Sequence, residues 1–446
     1  MSHRTQSART KIRRLATGRL ISVTGGAAAY TALNFTIWHR THSPGMQALS
    51  LLLTFGVAGF LSPFAGALGD RFDRRTVMVW SEAIAAAFFL AMAFARSPAW
   101  LIGLAFGSAI AELPFFSASR AAIPNLVESE DQISWANSLV TVGVHSGIAV
   151  GPLIGGVLGG TVGASWVFAL NAVSFLISLV LTLSVHGSFQ ESREAASAED
   201  EPKGHGGIAA GLAFLWHDRT LRRMSVAWFV FVLGMGMSMV ADAPLAEHFG
   251  VGAVGFALLI TCWGTGSVLG AATGRWMHER TEPVWLVAGS FGIALAAFGV
   301  GFAPLFPLVL ISLLIMGTSD GFTMVAENGI MQRRTPDAVR SRTMAAFESV
   351  LSFGLAIAYL IAGPVLRAFQ SNPQVVYVIG GVFASAAACT LVPLLRLRHA
   401  SHDVAPETER MTEAEPKLAV EPQLFASAEG LEIEPVAAVR EDGPGA

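Results

Sequence analysis

Ten residues, Gly66-Ala-Leu-Gly69-Asp70-Arg71-Phe-Asp73-Arg74-Arg75, carry five charges within six positions. One apolar run, starting near Met46, leads into them, and another starts at Thr76. Charge of that density does not lie in hydrocarbon. The chain therefore turns in water here, between two membrane spans. Short cytoplasmic loops collect Lys and Arg, so the three arginines point to the cytoplasmic side.

The pattern extends along most of the chain. Residues 18–397 are apolar runs separated by short polar turns, and only 14% of the 446 residues are charged against 53% hydrophobic. Soluble domains carry about 25% charged residues. The runs are long enough for helices to cross a ~30 Å hydrocarbon core, and unalternated runs of that length imply helices rather than barrel strands. An all-α membrane protein is expected. Twelve transmembrane helices are predicted near 18–38, 46–67, 76–95, 98–120, 137–159, 164–185, 223–245, 252–273, 283–302, 305–327, 344–366 and 375–395.

Orientation follows from counting. With the N-terminus inside, the outer loops hold Arg40, Arg96 and Arg367, which leaves 26 of the 29 Lys and Arg on inner segments. Both termini are thus expected in the cytoplasm, with no cleavable signal peptide. The expected organisation is a cytoplasmic segment (1–17), a six-helix bundle (18–185), a central loop (186–222), a second six-helix bundle (223–397) and an acidic, disordered tail (398–446). Within the central loop, Ile208 to Arg223 reads as a short amphipathic helix. Cys262 and Cys389 both lie in apolar runs, so no disulfide framework is implied.

The halves echo each other. Pro124-Asn-Leu-Val is answered by Pro336-Asp-Ala-Val, and Gly151-Pro152 by Gly363-Pro364, both at an offset of 212 residues. The charged turn has a weaker echo in Gly270-Ala-Ala-Thr-Gly274-Arg275 with Arg280. A duplicated six-span unit places a cavity between the halves near the midplane.

With these features the chain resembles the major facilitator superfamily. Gly66, Gly69, Asp70, Arg71, Arg74 and Arg75 fit that family's motif between spans two and three. Asp73 departs from it, since Gly is common there. The resemblance implies twelve helices in two pseudo-symmetric bundles and an inner gate, with Asp70 facing the start of span eleven near Thr343. The arginines are also placed to pair with Glu128, Glu130 or Asp131. Pro124-Asn-Leu-Val-Glu-Ser-Glu-Asp and Ala136-Asn137-Ser138 further resemble the branch of macrolide and siderophore (enterobactin-type) exporters. Gly147, Gly151, Pro152, Gly155 and Gly156 resemble the span-five signature of drug–proton antiporters, with Ser138 where the longer form has Gly. Read by packing alone, these small residues let helices approach closely.

Ionisable residues inside spans are functional candidates. Glu112, Asp320, His145 and Asp242 are candidates for proton or substrate coupling, and Glu112 leads because an apolar cavity disfavours the charged form of a carboxyl. If a cation and a proton compete for it, exchange follows. Glu327 and Glu348 lie near helix ends, where capping or pairing with Arg333 or Arg342 is expected. Phe35, Trp228 and Trp263, with Phe115 and Phe116, are candidate aromatic surfaces for an amphipathic ligand.

The chain has no phosphate-cradling loop for direct ATP drive and no Cys/His cluster for a metal. No enzyme activity, cofactor or nucleic-acid partner is expected. The expected function is a secondary transporter of the cell inner membrane that exports a small amphipathic molecule (drug, macrolide or siderophore-like) by alternating access, in exchange for protons. Its partners are that molecule, protons and the lipid bilayer, and nothing requires more than a monomer. The alternatives are an importer or ion symporter, or a non-transporting receptor or scaffold.

Overall fold

The computed structural model describes residues 7–57, 61, 72–127, 130–187, 189, 207–369 and 372–399. Gly66, Gly69, Asp70, Arg71, most of the central loop before Gly207 and the acidic tail lie outside the described residues.

Helix α1 (Ala8–Thr41) begins ten residues before the first predicted span. It stops at His42, which adopts the left-handed conformation (φ 42°) and returns its N–H to the Trp38 carbonyl. Ser43 then caps α2 (Pro44–Leu51), which passes into a π-helical turn, Leu52–Val57. Asp73 caps α3 (Arg74–Phe94), accepting from the Thr76 N–H at 2.8 Å and its hydroxyl at 2.9 Å. The residue that departs from the family motif thus fills a helix-capping role. Helices α4 (Pro98–Leu126), α5 (Glu130–Thr161) and α6 (Ala164–Ser184) complete the first half.

The predicted amphipathic helix is divided. A short α7 (Gly207–His217) ends where the Asp218 carboxylate caps α8 (Arg219–His248) through the N–H groups of Thr220 and Leu221. The second half continues with α9 (Gly252–Ala272), α10 (Glu282–Gly301), α11 (Phe306–Arg334), α12 (Asp337–Ala368) and α13 (Pro373–Leu391).

Eleven of these helices are long and apolar enough to cross a membrane, and the shorter apolar helix Pro44–Val57 lies at the start of the remaining predicted span. Packing repeats between halves. Helix α1 packs on α5 and α6, as α8 does on α12 and α13; α3 packs on α4 and α6, as α10 does on α11 and α13. The two six-helix bundles meet along two seams, α5 against α9 and α2 against α12. Large apolar side chains such as Phe94, Trp100 and Leu295 point outward and are exposed, as expected of a surface solvated by lipid.

Candidate substrate cavity

A cavity of about 450 Å³ lies between the bundles, with walls from α1, α2 and its π-helical turn, α4 and α5 on one side and α8, α9, α11 and α13 on the other. It brings together Glu112, Asp242, Phe116 and Trp263 from among the sequence candidates, and Pro152 from the glycine-rich motif.

Each carboxylate is held by a tyrosine. The Tyr30 hydroxyl donates to Glu112 Oε1 at 3.4 Å and lies 3.3 Å from Ser108 Oγ, which itself donates to the Ala105 carbonyl. In the other bundle the Tyr377 hydroxyl donates to Asp242 Oδ1. Tyr359, also fully buried, donates to the Met239 sulfur at 3.4 Å. The chain contains three tyrosines; Tyr30 and Tyr377 line the cavity, and Tyr359 lies in the packed core beside Met239. That scarcity is the sequence signal that could have found them.

Arg19 lines the same cavity and is only 6% exposed. Its guanidinium carbon lies 4.0 Å from the Phe116 ring centroid and 5.0 Å from that of Phe115, and its Nη2 has no hydrogen-bond partner. Counted by sequence among the basic residues of the N-terminal segment, Arg19 is in fact eleven residues into α1. Glu82 also escaped the sequence reading: it is buried in α3 and accepts from Ser178 and Thr182 of α6. Two further polar atoms at the cavity are unpaired, Trp263 Nε1 and Asn34 Oδ1. A donor and an acceptor are therefore available to a ligand where the rest of the wall is mostly apolar.

Other candidates lie elsewhere. Asp320 lines a small recess that shares Met235, Ser238, Trp263 and Met316 with the main cavity. His145 is exposed on α5 and does not line the cavity. Phe35 packs on Phe256 of α9, with ring centroids 6.1 Å apart, and Trp228 is buried against Phe231. Neither lines the main cavity. Glu327 is buried and forms no ion pair among the described residues, while Arg333 pairs with Glu282.

Arg74 donates to the Ala121 carbonyl at 2.7 Å, near the end of α4, and Arg75 to the Leu183 carbonyl at the end of α6. Cations at helix C-termini complement the partial negative charge there. The glycines of α5 form a close contact. A Cβ on Gly151 would meet Ala27 and the Thr24 carbonyl at 2.6 Å, and Gly147 and Gly155 also face α1. Gly156 faces Ala253 and Ala257 of α9, across the seam.

The family model of the Major Facilitator Superfamily matches residues 15–359 and 229–433. The chain is 25% identical over 339 residues to the enterobactin exporter EntS of Shigella boydii serotype 18 (strain CDC 3083-94 / BS512), covering 73% of this chain and 77% of that one. The same protein from Escherichia coli O81 (strain ED1a) is also 25% identical over the same shares. Among solved structures, a bacterial homologue of the human lysosomal transporter Spinster, inward-facing and unoccupied, gives a TM-score of 0.67 at 15% identity, over 87% of this chain and 97% of that one. A POT family transporter in complex with a thioalcohol-conjugated peptide gives 0.70 at 10% identity, over 87% and 96%.

Proposed function

The chain belongs to the Major Facilitator Superfamily, and on that premise we propose that it exports a small amphipathic molecule by alternating access, in exchange for protons. The observation that carries this reading is the cavity between the bundles, with one tyrosine-held carboxylate on each side of it. Such groups can exchange a proton for a cargo when the cavity opens to either face.

The exporter relatives support outward transport, as does the resemblance of the α5 glycines to an antiporter signature. The arginine-rich face is assigned to the cytoplasm, together with both termini, and the membrane to the bacterial inner membrane. In this frame the face where α1 ends is outer. Gly66–Arg75 is assigned the inner gate, with Asp70 meeting the start of α12 only when the inner ends are closed. Small cargo and a self-contained cavity suit a monomer.

Inverted vesicles containing the protein, with a preformed pH gradient, test the proposal. Adding an accepted cargo should collapse the gradient. A flat trace across macrolides, siderophores and cationic dyes would sink it and favour a non-transporting role.

A further inference from the structure

Three side chains that can carry charge near neutral pH line the central cavity: Arg19 and Glu112 from the first bundle and Asp242 from the second. With both carboxyls ionised their formal charges sum to −1. Among the described residues no bonded counter-ion cancels any of them. The carboxylates take their hydrogen bonds from the neutral hydroxyls of Tyr30 and Tyr377. Arg19 rests between two phenyl rings with Nη2 unpaired, and no carboxylate among the described residues lies within ion-pair distance of it. Charge balance is therefore a property of the whole cavity and of what it holds. Glu82, bonded to Ser178 and Thr182 inside the first bundle, and Asp320, in the side recess, lie off this wall. Arg120, exposed on α4, also acts on Arg19 from outside the wall; these groups keep one charge state in the empty and loaded forms, so only the wall changes charge.

An apolar enclosure tolerates net charge poorly, because an uncompensated ion loses its hydration without repayment. The compositions that can be closed off from water on both faces are those that sum to zero. Two of them do so without joining proton to cargo. One holds a single proton, on Glu112 or Asp242, and no cargo. The other holds no proton and one monovalent cation. These are the return and loaded states of a one-for-one exchanger. A dication would leave the wall at +1. An anion would need two protons bound beside it, and so would travel with protons rather than against them.

We infer that Arg19 fixes the exchange at one proton per monocationic cargo, by holding the ionised cavity wall at a single net negative charge. Trp263, Phe55 and Tyr30 supply the aromatic faces on which an amphipathic cation rests. The inference rests on the exchange proposed above. It makes Arg19 a selectivity residue that acts through the charge of the site.

The test uses the full-length protein in nanodiscs, with ethidium, a monocation, and propidium, which bears the same phenanthridinium ring and a second quaternary ammonium. Binding is read by fluorescence anisotropy against empty nanodiscs. Proton release is read with a pH indicator in weak buffer. The wild type should bind ethidium with release of about one proton and bind propidium at least ~10-fold more weakly. Arg19→Gln should gain at least ~10-fold in propidium binding, with release of about two protons. Arg19→Lys, which keeps the charge, should behave as the wild type, and retained ethidium binding reports that each variant is folded.

Equal binding of both dyes by the wild type would overturn the inference. So would unchanged selectivity in Arg19→Gln, loss of wild-type selectivity in Arg19→Lys, or preference for the anion 1-anilinonaphthalene-8-sulfonate over ethidium. Ethidium binding without proton release would instead refute the exchange beneath it, and absence of ethidium binding would refute a cationic cargo altogether.

Discussion

Trp38 donates its indole N–H to Glu247 at 2.8 Å, joining the end of α1 in one bundle to the end of α8 in the other. His39 and His42 bring their Nδ1 atoms to the same carboxylate at 3.0 and 3.3 Å. His42 reaches it from a left-handed backbone, the one non-glycine residue with positive φ among those described. Four side chains thus fasten the bundles at the face where α1 ends.

Glu247→Ala should loosen that fastening. Hydrogen bonds to a charged group contribute about 1.5–3 kcal/mol each, so losing them should shift the population open at this face by roughly tenfold or more. Spin labels at Ser97 and Leu305, both exposed near this face, would report a longer distance in the variant. An unchanged distance distribution would show that Glu247 does not hold the face closed.

Glu112→Gln keeps the shape at Tyr30 and removes the titratable proton. Cargo-driven collapse of a pH gradient in inverted vesicles should disappear. Glu82→Gln, altered inside the bundle and off the cavity, should keep it. If Glu112→Gln couples as the wild type does, Glu112 is not in the proton path.

Gly151→Ala should destabilise by about 1–3 kcal/mol, since the added methyl meets Ala27 and the Thr24 carbonyl at 2.6 Å in a contact with no slack. Gly103→Ala in α4 is the counter-case: nothing lies within 4 Å of its added Cβ, and helix propensity favours Ala by up to about 1 kcal/mol. Thermal unfolding in one detergent should move the two variants in opposite directions. A Gly151→Ala midpoint at or above the wild-type value would contradict the close contact.

Asp73→Ala removes the cap of α3 at about 1 kcal/mol, whereas Asp73→Gly costs only a few tenths. Hydrogen exchange at the first turn should speed about fivefold in the Ala variant, the factor that 1 kcal/mol corresponds to, and far less in the Gly variant. Equal exchange in wild type and Asp73→Ala would remove the cap from the account.

The helices were legible because each is a long apolar run and most are bounded by charge or Pro; α5 and α6 are parted only by the glycine-containing turn at Val162 and Gly163. The cavity was only partly legible. Glu112 and Asp242 stood out as carboxylates in apolar runs. Arg19 did not, because it follows Arg13 and Arg14 and reads as one more topological anchor until α1 is seen to start at Ala8. Glu82 stands seven residues past Arg75 and reads by sequence as part of that charged turn's flank, although α3 carries it into the bundle beside Ser178 and Thr182. Phe35 and Trp228 show the converse. An aromatic on an apolar helix faces lipid, core or cavity according to which helices surround it, and that choice is made by tertiary packing.

Both seams between the bundles are made at glycine. Gly156 lies against Ala253 and Ala257, and a Cβ added to Gly363 would stand 3.3 Å from the backbone of Pro44 and Gly45. Side chains that mesh across a joint must leave one rotamer well for another before the joint can slip. Bare backbone has no teeth to disengage, so these seams act as plain bearings with little friction of their own. The pace at which such a joint swings is then set by the polar clasp at Glu247 and by the contents of the cavity, which places control of the rate in the two places where chemistry can act on it.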